Sequence, residues 1–133
     1  MLETGAMKHA LIIEDNFVIA LMLQEHLEAG GYASVDIATT QAQAIALAEH
    51  RCPDFITADD RLEHGSGVDA IRHICRDKMI PLIFIVADPA NVEQALPNAL
   101  LLLKPFSHAA LVAAIEDAET IPRLLAKSEG NLQ

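Results

Sequence analysis

"HALIIEDNFVIALMLQEHLEAGG", residues 9–31, changes its period halfway, and that change decides the fold. Residues 9–14, "HALIIE", form a short apolar run that reads as a strand. Asn16 is placed to cap a helix with its side chain. After it, "FVIALMLQEHLEA" sets apolar residues at 17, 18, 20, 21, 23 and 27, a helical stripe. Gly30–Gly31 then stops the helix as a glycine beyond the C-cap does. At the junction stand Glu14 and Asp15, adjacent carboxylates that repel each other unless something holds them.

The alternation continues to the end of the chain. "ASVDIA" (33–38) predicts a second strand, and Thr39 or Thr40 caps the alanine-rich helix "QAQAIALAEH". Pro53 opens "DFITAD", a third strand ending at Asp59. The loop "DRLEHGSG" leads into a third helix, "VDAIRHICRD". "PLIFIVA" (81–87) is the most strand-like run. "DPANVEQAL" can hold about two helical turns before Pro97 ends it. "ALLLL" (99–103) is a fifth strand, Lys104–Pro105 turns the chain, and "SHAALVAAIEDA" is the last helix. Five strands alternating with five helices predict an α/β fold, a parallel sheet with helices on both faces. The continuous apolar strands agree, because both of their faces are covered. The domain is expected over residues 8–118, between an N-terminal tail (1–7) and a polar C-terminal extension (119–133) expected to fray.

Composition narrows the function. A chain of 133 residues suits one domain with a proper core. Nine basic against nineteen acidic residues, a net charge of −10, oppose binding to nucleic acid or to an anionic membrane. No apolar run approaches the ~20 residues that span a bilayer. The start "MLETGAMKHA" lacks the pattern of a secretory signal. Cys52 and Cys75 are isolated, so two reduced, partly buried thiols and a cytoplasmic location are expected.

In parallel sheets ligands bind beyond the C-terminal strand ends, where strand order reverses. Three such ends carry chemistry: Glu14–Asp15, Asp59 and Lys104. If they converge, each like-charge pair at ~4 Å costs about 4 kcal/mol at an effective dielectric near 20. One lysine cannot offset three acids, whereas a divalent cation can. An all-oxygen ligand set with few protein ligands suits Mg²⁺ best, with Mn²⁺ as the alternative. A carboxylate beside such an ion can attack a phosphoryl group, and metal and lysine neutralise charge on the transferring oxygens. Asp59, at the end of a central strand, is the best nucleophile. Asp60 is its competitor, and strand alternation lets at most one of the two face the pocket.

With these markers in this order, residues 8–118 resemble a receiver domain of a two-component response regulator. The resemblance rests on "LIIEDN", "PDFITADDRLEHGSGVDAI", "PLIFIVA" and "KPF". It implies a flavodoxin-like, doubly wound five-stranded sheet in the order 2-1-3-4-5. It implies phosphoryl transfer to Asp59 from a sensor histidine kinase or a His phosphotransfer protein. Mg²⁺ would be bound by Asp15, Asp59 and the backbone carbonyl of Arg61, with Glu14 acting through water. Lys104 would pair with the phosphoryl group, and Lys104–Pro105 would be cis. No enzyme beyond Mg²⁺-dependent self-phosphorylation and slow autodephosphorylation is implied. Output would pass to an unknown downstream protein, with a homodimer left open.

Two family positions are not met. Receivers usually end the fourth strand in Thr or Ser before a small residue; here Val86 precedes Ala87. Three residues before the lysine they commonly carry Tyr or Phe; here it is Leu101. The stretch from Val86 to Lys104 is also a few residues short, which squeezes the fourth helix. These departures motivate an alternative, a non-phosphorylated pseudo-receiver working as an adaptor or dimerisation module. A small phosphohydrolase ranks last, because no cap domain or second substrate pocket can be read. "HGSG" (64–67), and His64 and His108 near the site in sequence, are read as turn and helix-start chemistry.

Overall fold

The computed structural model describes residues 7–132, and side chains through residue 120. Most of the expected tail 1–7, and the side chains of the C-terminal part of the extension, lie outside the described residues. The elements alternate throughout: β1 (His9–Ile13), α1 (Phe17–Ala29), β2 (Ser34–Ala38), α2 (Gln41–His50), β3 (Phe55–Ala58), α3 (Gly67–Ile74), β4 (Leu82–Val86), α4 (Ala90–Ala95), β5 (Leu101–Leu103) and α5 (His108–Leu132). The five strands form one sheet in the order β2-β1-β3-β4-β5, every pair parallel. This is the doubly wound α/β architecture that the sequence predicts.

Local chemistry sets the helix starts. Asn16, Thr40 and Ser66 each accept a hydrogen bond from the backbone N–H three residues on, at 3.1, 3.1 and 3.0 Å. Each satisfies one of the orphan donors of a helix N-terminus. Of the two threonines left open by the sequence, Thr40 is therefore the cap. Gly31, with φ of 108°, takes the left-handed turn that ends α1. The backbone of α5 continues through Leu132, past the expected helix end at Ala118.

Alternation along the strands divides the core in two. Leu11, Ile13, Ile56, Ala58, Phe84 and Val86 pack with α2, α3 and α4 on one face. Ala10, Ile12, Phe55, Ile83 and Ile85 pack with α1 and α5 on the other. Burial on both faces stabilises the central strands most, at about 1.5–3 kcal/mol for each large apolar side chain. The register aligns Ile13 with Ala58, and Ala58 with Phe84, so the chains leaving β1 and β3 emerge side by side at one sheet edge. That placement is what brings distant carboxylates together.

Candidate functional site

At the C-terminal edge of the sheet the Glu14 carboxylate is buried, with only 1% of its surface exposed. Its Oε2 accepts from the backbone N–H of Asn16 at 3.0 Å, so the residue that caps α1 also fixes Glu14. Lys104, just beyond β5, reaches across the end of β4 into the same space. Its Nζ donates to Glu14 Oε1 at 3.0 Å and to Asp59 Oδ2 at 2.9 Å. One ammonium thus joins the carboxylates that follow β1 and β3. The backbone N–H of Lys104 donates to the carbonyl of Val86 at 2.8 Å, which holds the lysine against β4. The Lys104–Pro105 peptide is cis.

The electrostatics follow from this geometry. Burial pushes the Glu14 carboxyl above its usual range, and Lys104 and the Asn16 N–H pull it partly back. Burial works against the Lys104 ammonium, but its hydrogen bonds to Asp59 and Glu14 prevail and hold its proton more tightly than in water. A buried charge is tolerated only when paired, and each partner here supplies the other's condition.

Asp59 and Asp60 separate as strand alternation requires. Asp59 Oδ1 accepts from the N–H of Asp60 at 2.7 Å, while Oδ2 rests on Lys104. Asp60 turns away from the lysine: its Oδ1 accepts from the N–H of Val68 at 3.1 Å and its Oδ2 from the Asn91 side-chain amide at 2.8 Å. Asp60 therefore ties the β3–α3 loop to the starts of α3 and α4. Sequence reading treated it only as a rival nucleophile.

Gly67 was also missed. Its N–H donates to the Asp60 carbonyl at 2.8 Å, and a Cβ at this position would overlap the Asp59 carbonyl. The glycine after Ser66 is what allows α3 to start hard against the Asp59 backbone. The signal lay in "HGSG", read as turn chemistry alone; Gly65, with φ of 85°, and the Ser66 cap do fill that turn role. His64 contributes its carbonyl to Gln41 N–H, and the His108 ring packs edge-on against His26.

Asp15 differs from its neighbours. Among the described residues it has no hydrogen-bond or ion-pair partner, yet carboxylate oxygens of Glu14, Asp15 and Asp59 lie within 4.8 Å of one another. With Lys104 engaged by the other two, Asp15 is the acid left uncompensated. An all-oxygen cluster with one unpartnered carboxylate fits a hard divalent cation such as Mg²⁺. Arg61 follows in a loop closed by its β-bridge to Ser66. Val86 and Leu101 lie within the same apolar cluster, Val86 buried and Leu101 half-buried, and Ala87 is exposed.

A parallel five-stranded sheet in the order β2-β1-β3-β4-β5, with an acidic cluster and a lysine at its C-terminal edge, is the arrangement of the receiver class of signalling domains. Residues 10–116 match the response regulator receiver domain family, and the chain belongs to it. Receiver domains are signalling domains, not classical enzymes, and generally bind Mg²⁺ through an acidic pocket. The chain is 37% identical over 113 residues to the phyllosphere-induced regulator PhyR of Methylorubrum extorquens, matching 81% of this chain and 42% of that protein. The chain thus spans less than half the length of this relative. The solution structure of the Erythrobacter litoralis PhyR receiver domain superposes with a TM-score of 0.78 at 28% identity, covering 86% of this chain and 92% of that one. The crystal structure of the anti-anti-sigma factor PhyR from Bartonella quintana gives 0.68 at 30% identity, covering 94% of this chain and 50% of that one. No helix among the described residues is long and apolar enough to cross a membrane.

Proposed function

We propose that the chain accepts a phosphoryl group on Asp59 and signals by protein–protein contact. One observation carries the assignment: Lys104 holds Asp59 and not Asp60, so only Asp59 presents a carboxylate to the acidic cluster. In the transfer an Asp59 oxygen forms a bond to phosphorus as the bond to the donor histidine nitrogen breaks. The leaving nitrogen keeps the electron pair. Lys104 would hold charge on the transferring oxygens as Asp59 becomes an acyl phosphate. Asp15, Asp59 and the Arg61 carbonyl would hold Mg²⁺, with Glu14 acting through water. The ion would supply the remaining neutralisation of phosphoryl charge.

The donor is a histidine kinase or His phosphotransfer protein. Output by contact is supported by α1, whose outer face exposes Phe17, Val18, Leu21 and Met22 beside the acidic cluster. A helix whose first two turns are apolar on the outer face as well as the inner is one that expects a covering partner there. The Bartonella quintana relative is described as an anti-anti-sigma factor, and a downstream partner that is itself a protein is the corresponding reading here. The setting is cytoplasmic, and the functional unit is residues 8–118.

The second reading, a pseudo-receiver adaptor, is favoured by Val86 and Leu101, whose side chains pack in the core and offer neither hydroxyl nor aromatic ring. Incubation with Mg²⁺ and acetyl phosphate, followed by intact mass, separates the two. A phosphoryl adduct supports the first reading, and an unmodified chain supports the second.

A further inference from the structure

A concavity of about 480 Å³ lies at the opposite edge of the sheet. It opens between the end of α3, the start of β4 and the segment from α4 to β5. Its origin is the short fourth helix. Six residues long, α4 ends at Ala95, Pro97 prevents its continuation, and residues 96–100 cross to β5 without covering the space beneath. The floor is apolar, formed by Ile71, Ile80, Leu82 and Leu96.

The charge around this floor runs against the whole chain. Arg72, Arg76 and Lys78, three of the chain's nine basic residues, line the cavity, and no acidic residue among those described does. Arg72 donates to the Ala95 carbonyl across the opening at 3.4 Å. Arg76 pairs loosely at 3.7 Å with Asp77, which lies outside the lining. A cation near the C-terminus of α3 suits the helix dipole and accounts for Arg72. It does not account for three cations around one apolar cavity in a protein of net charge −10.

We infer that this groove binds a small amphipathic anion, with an apolar body on the floor and a carboxylate or phosphate monoester at the Arg72–Arg76–Lys78 rim. The volume falls within the roughly 300–1,000 Å³ of small-molecule sites. The net charge favours a small anion over an acidic protein segment, because only the small ligand can sit wholly within the local positive field.

The test titrates the isotopically labelled chain with octanoate, octyl phosphate, octanol and octylamine, following backbone amide shifts. Saturable shifts at residues 78–82 and 96–100 with one or both anions are expected, and the anion that binds tighter identifies the head group. Octanol should bind at least about tenfold more weakly, a difference near 1.4 kcal/mol, and octylamine should not saturate. Arg72→Gln combined with Lys78→Gln should weaken the anion by a similar factor while leaving Asp59 phosphorylation by acetyl phosphate unchanged. Equal affinity for octanol and octanoate would reduce the groove to an apolar patch and overturn the inference. So would anion shifts confined to other residues, or saturable binding of an acidic peptide but of neither anion.

Discussion

Lys104 and Asp59 follow strands that are not neighbours, β5 and β3, yet Lys104 Nζ lies 2.9 Å from Asp59 Oδ2. The lysine spans the end of β4 and continues to Glu14 beyond β1. A single side chain therefore ties three strand ends together, in a setting where Lys104 is 16%, Asp59 12% and Glu14 1% exposed at the side chain. Its removal leaves a buried carboxylate, not merely a missing contact.

Lys104→Met should destabilise the fold by about 3–5 kcal/mol near neutral pH, the cost of stranding a buried charge. Glu14 already holds its proton more tightly than its ordinary value of 4.5, because of burial. Without the lysine that shift should grow. A group whose folded pKa is raised lends stability below its unfolded pKa and loses it as pH rises through the folded pKa. The variant's deficit should therefore shrink as the pH is lowered toward 4.5. Denaturant titrations across pH measure this, and adding Glu14→Gln should recover part of the loss at neutral pH.

Asp15 is the acid without a partner, so it should dominate the response to Mg²⁺. At a free Mg²⁺ concentration a hundred times its dissociation constant, linkage should stabilise the chain by roughly 2.7 kcal/mol. Asp15→Asn should raise stability without metal and abolish the metal-dependent rise in Tm. A Tm unmoved by millimolar Mg²⁺ in the unaltered chain counts directly against a metal site.

Gly67→Ala should act on the site from outside it. The added Cβ meets the Asp59 carbonyl, so the β3–α3 loop must shift. We expect a loss of about 1–3 kcal/mol, as for overpacking elsewhere, together with slower labelling of Asp59 by acetyl phosphate. Unchanged stability and labelling would show that the close approach is dispensable.

Tyr32 gives the chain an alkaline limit. Burial, then its 2.6 Å hydrogen bond to Glu119 and the charge of that carboxylate, push the phenol well above its ordinary 10.0. The stability it contributes is complete below pH 10.0 and declines as pH rises toward the folded value. Tyr32→Phe should flatten this alkaline decline in chemical denaturation, while showing little difference in slope at neutral pH.

Much of the architecture was legible because local signals agreed with the global pattern. The Asn16 cap fixed the start of α1, and the bounds of α2 follow directly from "QAQAIALAEH". Strand alternation was enough to expect Asp59 and Asp60 to part company. The meeting of Glu14, Asp59 and Lys104 was expected from their strand ends, but the particular long-range bonds were not. Nothing within "LIIEDN" reveals that Glu14 is buried against a lysine ninety positions away. The same limit hid Asp60 bonding to Asn91 and Gly67 packing on the Asp59 backbone, since each depends on how separate elements meet. Cys52, expected to be partly buried, is exposed because it stands in the turn before β3, whereas Cys75 is half-buried. The backbone of α5 runs past Ala118 to Leu132, a boundary that composition alone did not mark.

The most direct test of the account is intact-mass analysis of three chains, the unaltered protein, Asp59→Asn and Asp60→Asn, after incubation with Mg²⁺ and acetyl phosphate. One phosphoryl adduct on the unaltered chain and on Asp60→Asn, with none on Asp59→Asn, is the predicted result. An adduct that survives Asp59→Asn and vanishes with Asp60→Asn, or no adduct on any chain, would contradict it.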